Sequence, residues 1–390
     1  MHMGIYYLHP PPQLTKNFSR LNLNVIYRNC IIQCLKVCKY TGEKGRNMPI
    51  KGRAAVFREA RKPLSIEEIE FPDPKYDEVL IKVRAVGVCH TDLATIDGEF
   101  PPPPLMPTVL GHEIAGEVHL VGEGVREVGP GDGVVLSWLW YTCGKCRFCI
   151  RGNEQLCEHL VETGRHVYGG YAEYVLAKAS HVIKIPSSVP WEYAPAATDA
   201  IATPFKGLRV AGAKEGDVVV VWGVGALGFN AIQVAKAKGC TVIAVGRSEF
   251  KLQKAKEVGA DVVINASRED PVDAIKRVSD GGADVILQLV PTDVKTYEQA
   301  FYSLRRGGVL VLLGYPPGKL CLPVIEWGLD EKKVIASLAF TRYDITESLR
   351  LMAQGKVRPV VTTYKGLESI NRALDDLREG KVLGRPVVLM

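Results

Sequence analysis

The sequence has no run of about 18 apolar residues, the least a membrane-spanning helix needs, so no membrane span is expected in its 390 residues. It also lacks a secretory opening. Met1-His2-Met3 carries no basic start, and the prolines at 10–12 interrupt any early apolar core. Surplus charge is scarce where it would matter. Of 49 Lys and Arg and 43 Asp and Glu, seven basic residues and Glu43 alone fall within residues 1–47, leaving 42 of each sign from Met48 onward. A neutral body removes the electrostatic footing for a nucleic-acid partner. What is present, 47% apolar and 24% charged residues, is the composition of a soluble globular protein. The length suits two domains.

Acidic residues are nearly missing from the first 47 positions, and organised patterning begins only near Lys51. Residues 1–48 therefore read as an extension that is disordered or not part of the natural chain, or as an organelle transit segment. Cys30, Cys34 and Cys38 recur every four residues there and would share one helix face. Ten cysteines without a secretory opening, four of them clustered at metal spacing, favour a reducing compartment. The cytoplasm is the expected location, or an organelle if the extension is a transit segment.

From Arg53 to Lys184 short apolar runs alternate with Gly and Pro turns, as in Val79–Val83, Ile114–Val118 and Pro130-Gly131-Asp132-Gly133. Many short strands of this kind predict a β-rich, barrel-like unit. Directly after one run comes Gly87-Val88-Cys89-His90-Thr91-Asp92, which places a thiol, a hydroxyl and a carboxylate within four residues. Gly111-His112-Glu113 adds an imidazole beside a carboxylate, and zinc accepts sulfur, nitrogen and oxygen donors alike. The strongest local signal is Cys143, Cys146 and Cys149, followed by Cys157. Four thiolates with no open position make a zinc site that pins a lobe and performs no chemistry.

The pattern changes at Gly216. Val218–Trp222 is a continuous apolar run of the kind buried on both faces of a parallel sheet. It leads into Gly223-Val224-Gly225-Ala226-Leu227-Gly228 and a helical stretch. Glycines at that spacing between strand and helix let the backbone approach a pyrophosphate seated on the helix N-terminus. Alternating strand and helix patterns continue to Leu313, which predicts a doubly wound α/β sheet. At the end of the second strand the carboxylate that would bond the NAD ribose is missing. Gly246-Arg247-Ser248 stands there, with Lys251 close by. A guanidinium and a hydroxyl bind phosphate with charge-assisted bonds, so NADP(H) is expected in preference to NAD(H).

In order along residues 50–390, these landmarks, together with Gly170–Tyr174, Gly307-Gly308 and Gly384-Arg385, resemble the zinc-containing medium-chain alcohol dehydrogenases. The resemblance implies a GroES-like catalytic domain built from residues 49–186 plus 326–390. A Rossmann dinucleotide-binding domain is inserted at 187–325, in a homodimer or homotetramer. It implies two zinc ions per chain and a small alcohol or aldehyde substrate. Cys89 and His112 match two ligands of the catalytic zinc. Glu113 matches the carboxylate that can enter its coordination sphere, Thr91 the hydroxyl that passes the substrate proton, and Asp92 the acid that orients the histidine. Cys143, Cys146, Cys149 and Cys157 match the structural zinc site, and Arg385 the cation at the cofactor pyrophosphate.

Two further absences qualify the match. The third ligand of the catalytic zinc is commonly a cysteine, but the segment Ala197–Thr203 has none; Asp199 stands where it would be. The histidine that relays protons in many relatives is Ala94 here, so protons must leave through water or a ribose hydroxyl. Trp138, Trp140 and the prolines at 101–104 could wall an apolar substrate pocket. The reading is a zinc-dependent oxidoreductase that moves hydride between a primary or secondary alcohol and NADP(H). A sugar or polyol dehydrogenase is the first alternative. A zinc-independent quinone or enoyl reductase, or a non-catalytic NADPH-binding protein, is the second.

Overall fold

The computed structural model describes residues 49–390, and the expected N-terminal extension lies outside the described residues. Two large sheets carry the architecture. The first is a seven-stranded, mostly antiparallel sheet in which Glu78–Gly87 pairs with Glu113–Val121, Tyr174–Lys178 and Arg385–Leu389. A three-stranded sheet, Ser65–Phe71, Ile50–Phe57 and Thr108–Val109, packs beside it. Val79, Leu80, Ile81, Val86, Ile114 and Val175 share one core between these sheets, as the strand alternation predicts. This is the GroES-like part of the fold.

The second sheet is six-stranded and wholly parallel, in the order Val262–Asn265, Thr241–Gly246, Val218–Trp222, Ala283–Gln288, Leu304–Leu312, Lys333–Ala336. The first strand of this unit in sequence is therefore central. Its successors build outward on one side and then on the other, the Rossmann order with its switch point beside the first strand. Helices cover both faces, as continuous apolar strands such as Val218–Trp222 require.

By periodicity alone the C-terminal tail suits either sheet, while the family resemblance places it with the first unit. It returns. Arg385–Leu389 inserts between Glu78–Gly87 and Val361–Lys365. Gly384 makes this possible: its φ is +78°, and a Cβ there would stand 1.9 Å from the Val360 carbonyl oxygen. A large core then runs from the parallel sheet, through Ala196, Ala197 and Ile201, to Ala85, Ala115 and Val387 of the first sheet. No helix among the described residues is long and apolar enough to cross a membrane.

Candidate active site

Three neighbouring strands bring their functional ends to one place. Antiparallel register sets Glu113 opposite Gly87 and Val387 opposite Gly87 on the other side. Cys89 thus leaves the central strand just where His112 enters one neighbour and Arg385 the other. A Cβ on Gly87 would lie 2.3 Å from a Glu113 carboxylate oxygen and 2.9 Å from the Glu113 Cβ, so glycine here gives the Glu113 side chain its place. Cys89 caps the short helix His90–Ile96, and the Asp92 carboxylate reaches back to the Cys89 backbone N–H at 3.4 Å. The local sequence Cys-x-x-Asp folds this way because both groups satisfy amides that the first helical turn leaves free. Asp199 comes from elsewhere, at the end of the 3₁₀ turn Ala194–Thr198. Its segment is tied to the fingerprint helix Ala226–Ala237, where the Asn230 amide donates to the Ala200 carbonyl at 3.1 Å.

The result is a compact donor set. Cys89, His112, Glu113 and Asp199 each place one ligand atom within 4.8 Å of all the others. Cys89 Sγ lies 3.4 Å from Asp199 Oδ2 and 3.7 Å from Thr91 Oγ1. His112 Nδ1 is engaged by Asp92 Oδ1 at 3.2 Å, which turns Nε2 toward the cluster. Asp92 also accepts from the Gly111 N–H and from the buried Tyr171 hydroxyl. Thr203 donates to Asp199 Oδ1 at 2.6 Å. The Arg385 guanidinium, itself buried, donates to Asp199 Oδ2 at 3.0 Å and stands 3.2 Å from Glu113 Oε1.

Electrostatics follow from burial. It pushes the Cys89 thiol up, against the pull of Arg385, and lifts the Glu113 carboxyl to about 8. Burial opposes the Asp92 and Asp199 carboxylates too, yet His112 and Arg385 respectively hold them below the usual range. Both Glu113 oxygens are buried and accept no hydrogen bond. A thiol, an imidazole nitrogen and a carboxylate converging beside such an unsatisfied acid fit a divalent cation of borderline softness, as zinc is.

The second cluster is independent. Cys143, Cys146, Cys149 and Cys157 also bring their sulfurs within 4.8 Å of one another. Backbone N–H groups of Cys143, Cys146 and His159 donate to these sulfurs at 3.3 Å. Such donors stabilise thiolates, and the Cys146 thiol is drawn down to about 6, first by the Cys149 amide. The set fits a closed four-sulfur metal site.

The nucleotide signals lie together on the parallel sheet. Gly223 has φ +110°, and a Cβ on Gly228 would meet the Gly223 carbonyl oxygen at 2.2 Å. Gly225 has open space around its Cβ position, while Ala226 and Leu227 begin the helix. Gly246 ends the neighbouring strand, Arg247 and Ser248 follow it on the surface, and Ser248 caps the helix that carries Lys251. Sequence reasoning missed one role here. Tyr171 touches Asp92 across 79 positions, a separation no motif reports. Trp140 is tied into the fold, its indole N–H donating to the Leu176 carbonyl, and Trp138 packs against the large core.

Comparison with known proteins agrees with this geometry. The alcohol dehydrogenase GroES-like domain family matches residues 75–187, and the zinc-binding dehydrogenase family matches residues 226–354. Among curated proteins, an alcohol dehydrogenase of Geobacillus stearothermophilus is 43% identical over 337 residues, 86% of this chain and 98% of its own length. Among solved structures, the alcohol dehydrogenase of the archaeon Aeropyrum pernix superposes with a TM-score of 0.79 at 35% identity, covering 87% of this chain and all of the other. A zinc-binding dehydrogenase of Sinorhizobium meliloti, solved bound to NADP, gives 0.79 at 27% identity over the same shares. At such identity and coverage, the chain belongs to the zinc-containing medium-chain alcohol dehydrogenase family, NAD(P)-dependent oxidoreductases of alcohols.

Proposed function

We propose that the protein oxidises small primary or secondary alcohols with NADP, and reduces the matching aldehydes or ketones with NADPH. The reading rests on one observation, the convergence of Cys89, His112, Glu113 and Asp199 beside Thr91. Cys89, His112 and Asp199 would hold zinc there, with Glu113 behind them, and Cys143, Cys146, Cys149 and Cys157 a second zinc. Bound at the first set, zinc supplies Lewis acidity that lowers the proton affinity of a substrate hydroxyl; the nicotinamide supplies the hydride chemistry. The protein's own groups do the rest. Thr91, exposed beside Cys89, takes the substrate proton at Oγ1 and hands its own to water, since Ala94 offers no relay. Asp92 holds the His112 ring by Nδ1 and so fixes which nitrogen faces the cleft. Arg385 balances the negative charge of Asp199, to which it donates at 3.0 Å, and its charge is the one the family resemblance sets at the pyrophosphate.

The preference for NADP is supported by exposed Arg247 and by Ser248. The Ser248 oxygen accepts the Lys251 N–H, which leaves the hydroxyl proton free for a phosphate oxygen. Self-association is supported by Val324, Ile325 and Leu329, three of the most exposed apolar side chains, close to the edge strand Lys333–Ala336.

The deciding experiment is steady-state kinetics on a panel of alcohols, aldehydes and sugars with NADP and NAD in parallel, for wild type and Asp199→Ala. Asp199→Ala should lose most turnover while binding NADPH normally by fluorescence titration. Undiminished turnover removes Asp199 from the mechanism. A preference for NAD of about tenfold, roughly 1.4 kcal/mol, overturns the cofactor assignment.

A further inference from the structure

We infer that Tyr171 is a positioning residue whose hydroxyl, through Asp92 and His112, sets how long the active-site metal is retained. The inference rests on the zinc reading of Cys89, His112 and Asp199 given above.

Asp92 is the hub. Its Oδ1 receives the Gly111 N–H at 3.3 Å and His112 Nδ1 at 3.2 Å. Its Oδ2 receives the Cys89 N–H at 3.4 Å and the Tyr171 hydroxyl at 2.9 Å. The phenol thus makes the shortest of the four bonds and is the only donor to Oδ2 at a normal length. Burial and the Asp92 charge keep that phenol protonated, with its pKa far above the ordinary value, so it is a permanent donor.

The ring is not free to adjust. Tyr171 is fully buried. Its N–H donates to the Leu110 carbonyl at 3.0 Å, its carbonyl accepts the Ala55 N–H at 2.8 Å, and the Gly170 N–H donates to the Gly111 carbonyl at 2.8 Å. The connection Leu110–His112, between the strands Thr108–Val109 and Glu113–Val121, therefore holds Tyr171 by its backbone. Gly111 completes the fit, because only a residue without Cβ lets the ring come this close. Tyr171 and His112 are locked to one frame, and Asp92 is clamped between them. Phenylalanine would fill the same space and leave Oδ2 with a single long bond. The carboxylate could then rotate away from Nδ1, and the imidazole would lose its fixed aim. Removing the direct outer partner of a ligating histidine, here Asp92, typically costs about 10- to 100-fold in metal affinity or activity; Tyr171 acts one bond further out, so its loss belongs at the lower end.

The test compares Tyr171→Phe with Tyr364→Phe, which deletes a similar hydroxyl–carboxylate bond, Tyr364 to Asp376 at 2.9 Å, far along the sequence from these residues. Each protein is loaded with zinc, treated with EDTA, and followed by zinc content, NADPH binding and thermal midpoint. Tyr171→Phe should release one of two zincs about 10-fold faster than wild type, the lower end for outer partners of a ligating histidine, with unchanged NADPH binding. Tyr364→Phe should release it at the wild-type rate. Wild-type release from Tyr171→Phe, whatever its thermal midpoint, makes the residue merely structural and overturns the inference. A wild-type chain that carries only one zinc overturns the metal-site reading itself, and the inference with it.

Discussion

Glycine at position 111 shows how much one missing Cβ carries. Gly111 and Gly131 both have φ +91°, so each is unfavourable for any other residue. They differ in what surrounds them: a Cβ on Gly111 would sit 2.5 Å from Tyr171 Cδ1, while Gly131 has nothing within 4 Å. Gly131→Ala should therefore cost only the backbone term, about 1–2 kcal/mol. Gly111→Ala adds overpacking of the Tyr171 ring, for a total of about 2–5 kcal/mol. Urea midpoints of the two variants decide it; equal losses would mean that the ring yields freely. The same contrast explains what could be read from the sequence at this scale. Cys89, Thr91 and Asp92 share one helical turn and announce themselves, as do His112 with Glu113 and the four clustered cysteines. Asp199 was legible only because a family pattern has a cysteine there, and Tyr171 was legible as part of the Gly170–Tyr174 landmark but not in its role. Its partner is created by strand register, which no short motif encodes.

At the scale of elements, the four-cysteine lobe is moored to the rest of the chain by polar links. Glu154, on the 3₁₀ turn before Cys157, accepts the Arg342 backbone N–H at 2.7 Å and its Nε at 2.9 Å. Arg342 opens the helix Arg342–Ala353, where Asp344 and Thr341 form the cap and Asp344 also pairs with Arg209 at 2.8 Å. His181 completes the mooring: its Nε2 accepts the Thr142 N–H at 2.9 Å, so Nδ1 carries the proton toward Ser180 Oγ, also at 2.9 Å. Burial, aided by the Arg342 charge, pushes this imidazole down to about 4. The unfolded chain, with an ordinary histidine, binds more protons between about pH 4 and 6.5. Stability conferred by neutral His181 is thus present above 6.5 and lost as the pH falls toward 4, by up to about 3 kcal/mol. Urea denaturation of wild type and His181→Gln from pH 7 to 4.5 measures it. The glutamine keeps an acceptor but cannot titrate, so the gap between the two should close as the pH falls. A constant gap would refute the assignment.

At the scale of the whole molecule, the two sheets were legible because their patterns differ. The parallel sheet is written in continuous apolar strands behind a glycine fingerprint, the antiparallel one in alternation. The return of Arg385–Leu389 to the first sheet was legible only through the family resemblance, since by periodicity one apolar strand serves either sheet equally well; Gly384 at the Val360 carbonyl settles it in three dimensions. This architecture separates the two proposed zinc sites in their consequences. The active-site set is built on the ends of strands whose side chains, Val86, Ile114 and Val388 among them, are buried in the core, so those strands persist without a metal. The lobe from Cys143 to Cys157 has no such support. It contains only two 3₁₀ turns, and Ile150 and Leu156 point into solvent at 70% and 43% exposure. A segment without a core depends on its metal for folding free energy. Graded chelation should therefore show two stages. The first zinc to leave should abolish turnover while lowering the thermal midpoint by no more than a few degrees. The second should lower it by roughly 10 °C or more, equivalent to about 3 kcal/mol or above at 2–4 °C per kcal/mol. Zinc release, turnover and circular dichroism melting followed on the same samples would check this. Turnover that survives loss of the first zinc, or a single cooperative loss of both, would break the division between a site that reacts and a site that only holds the lobe.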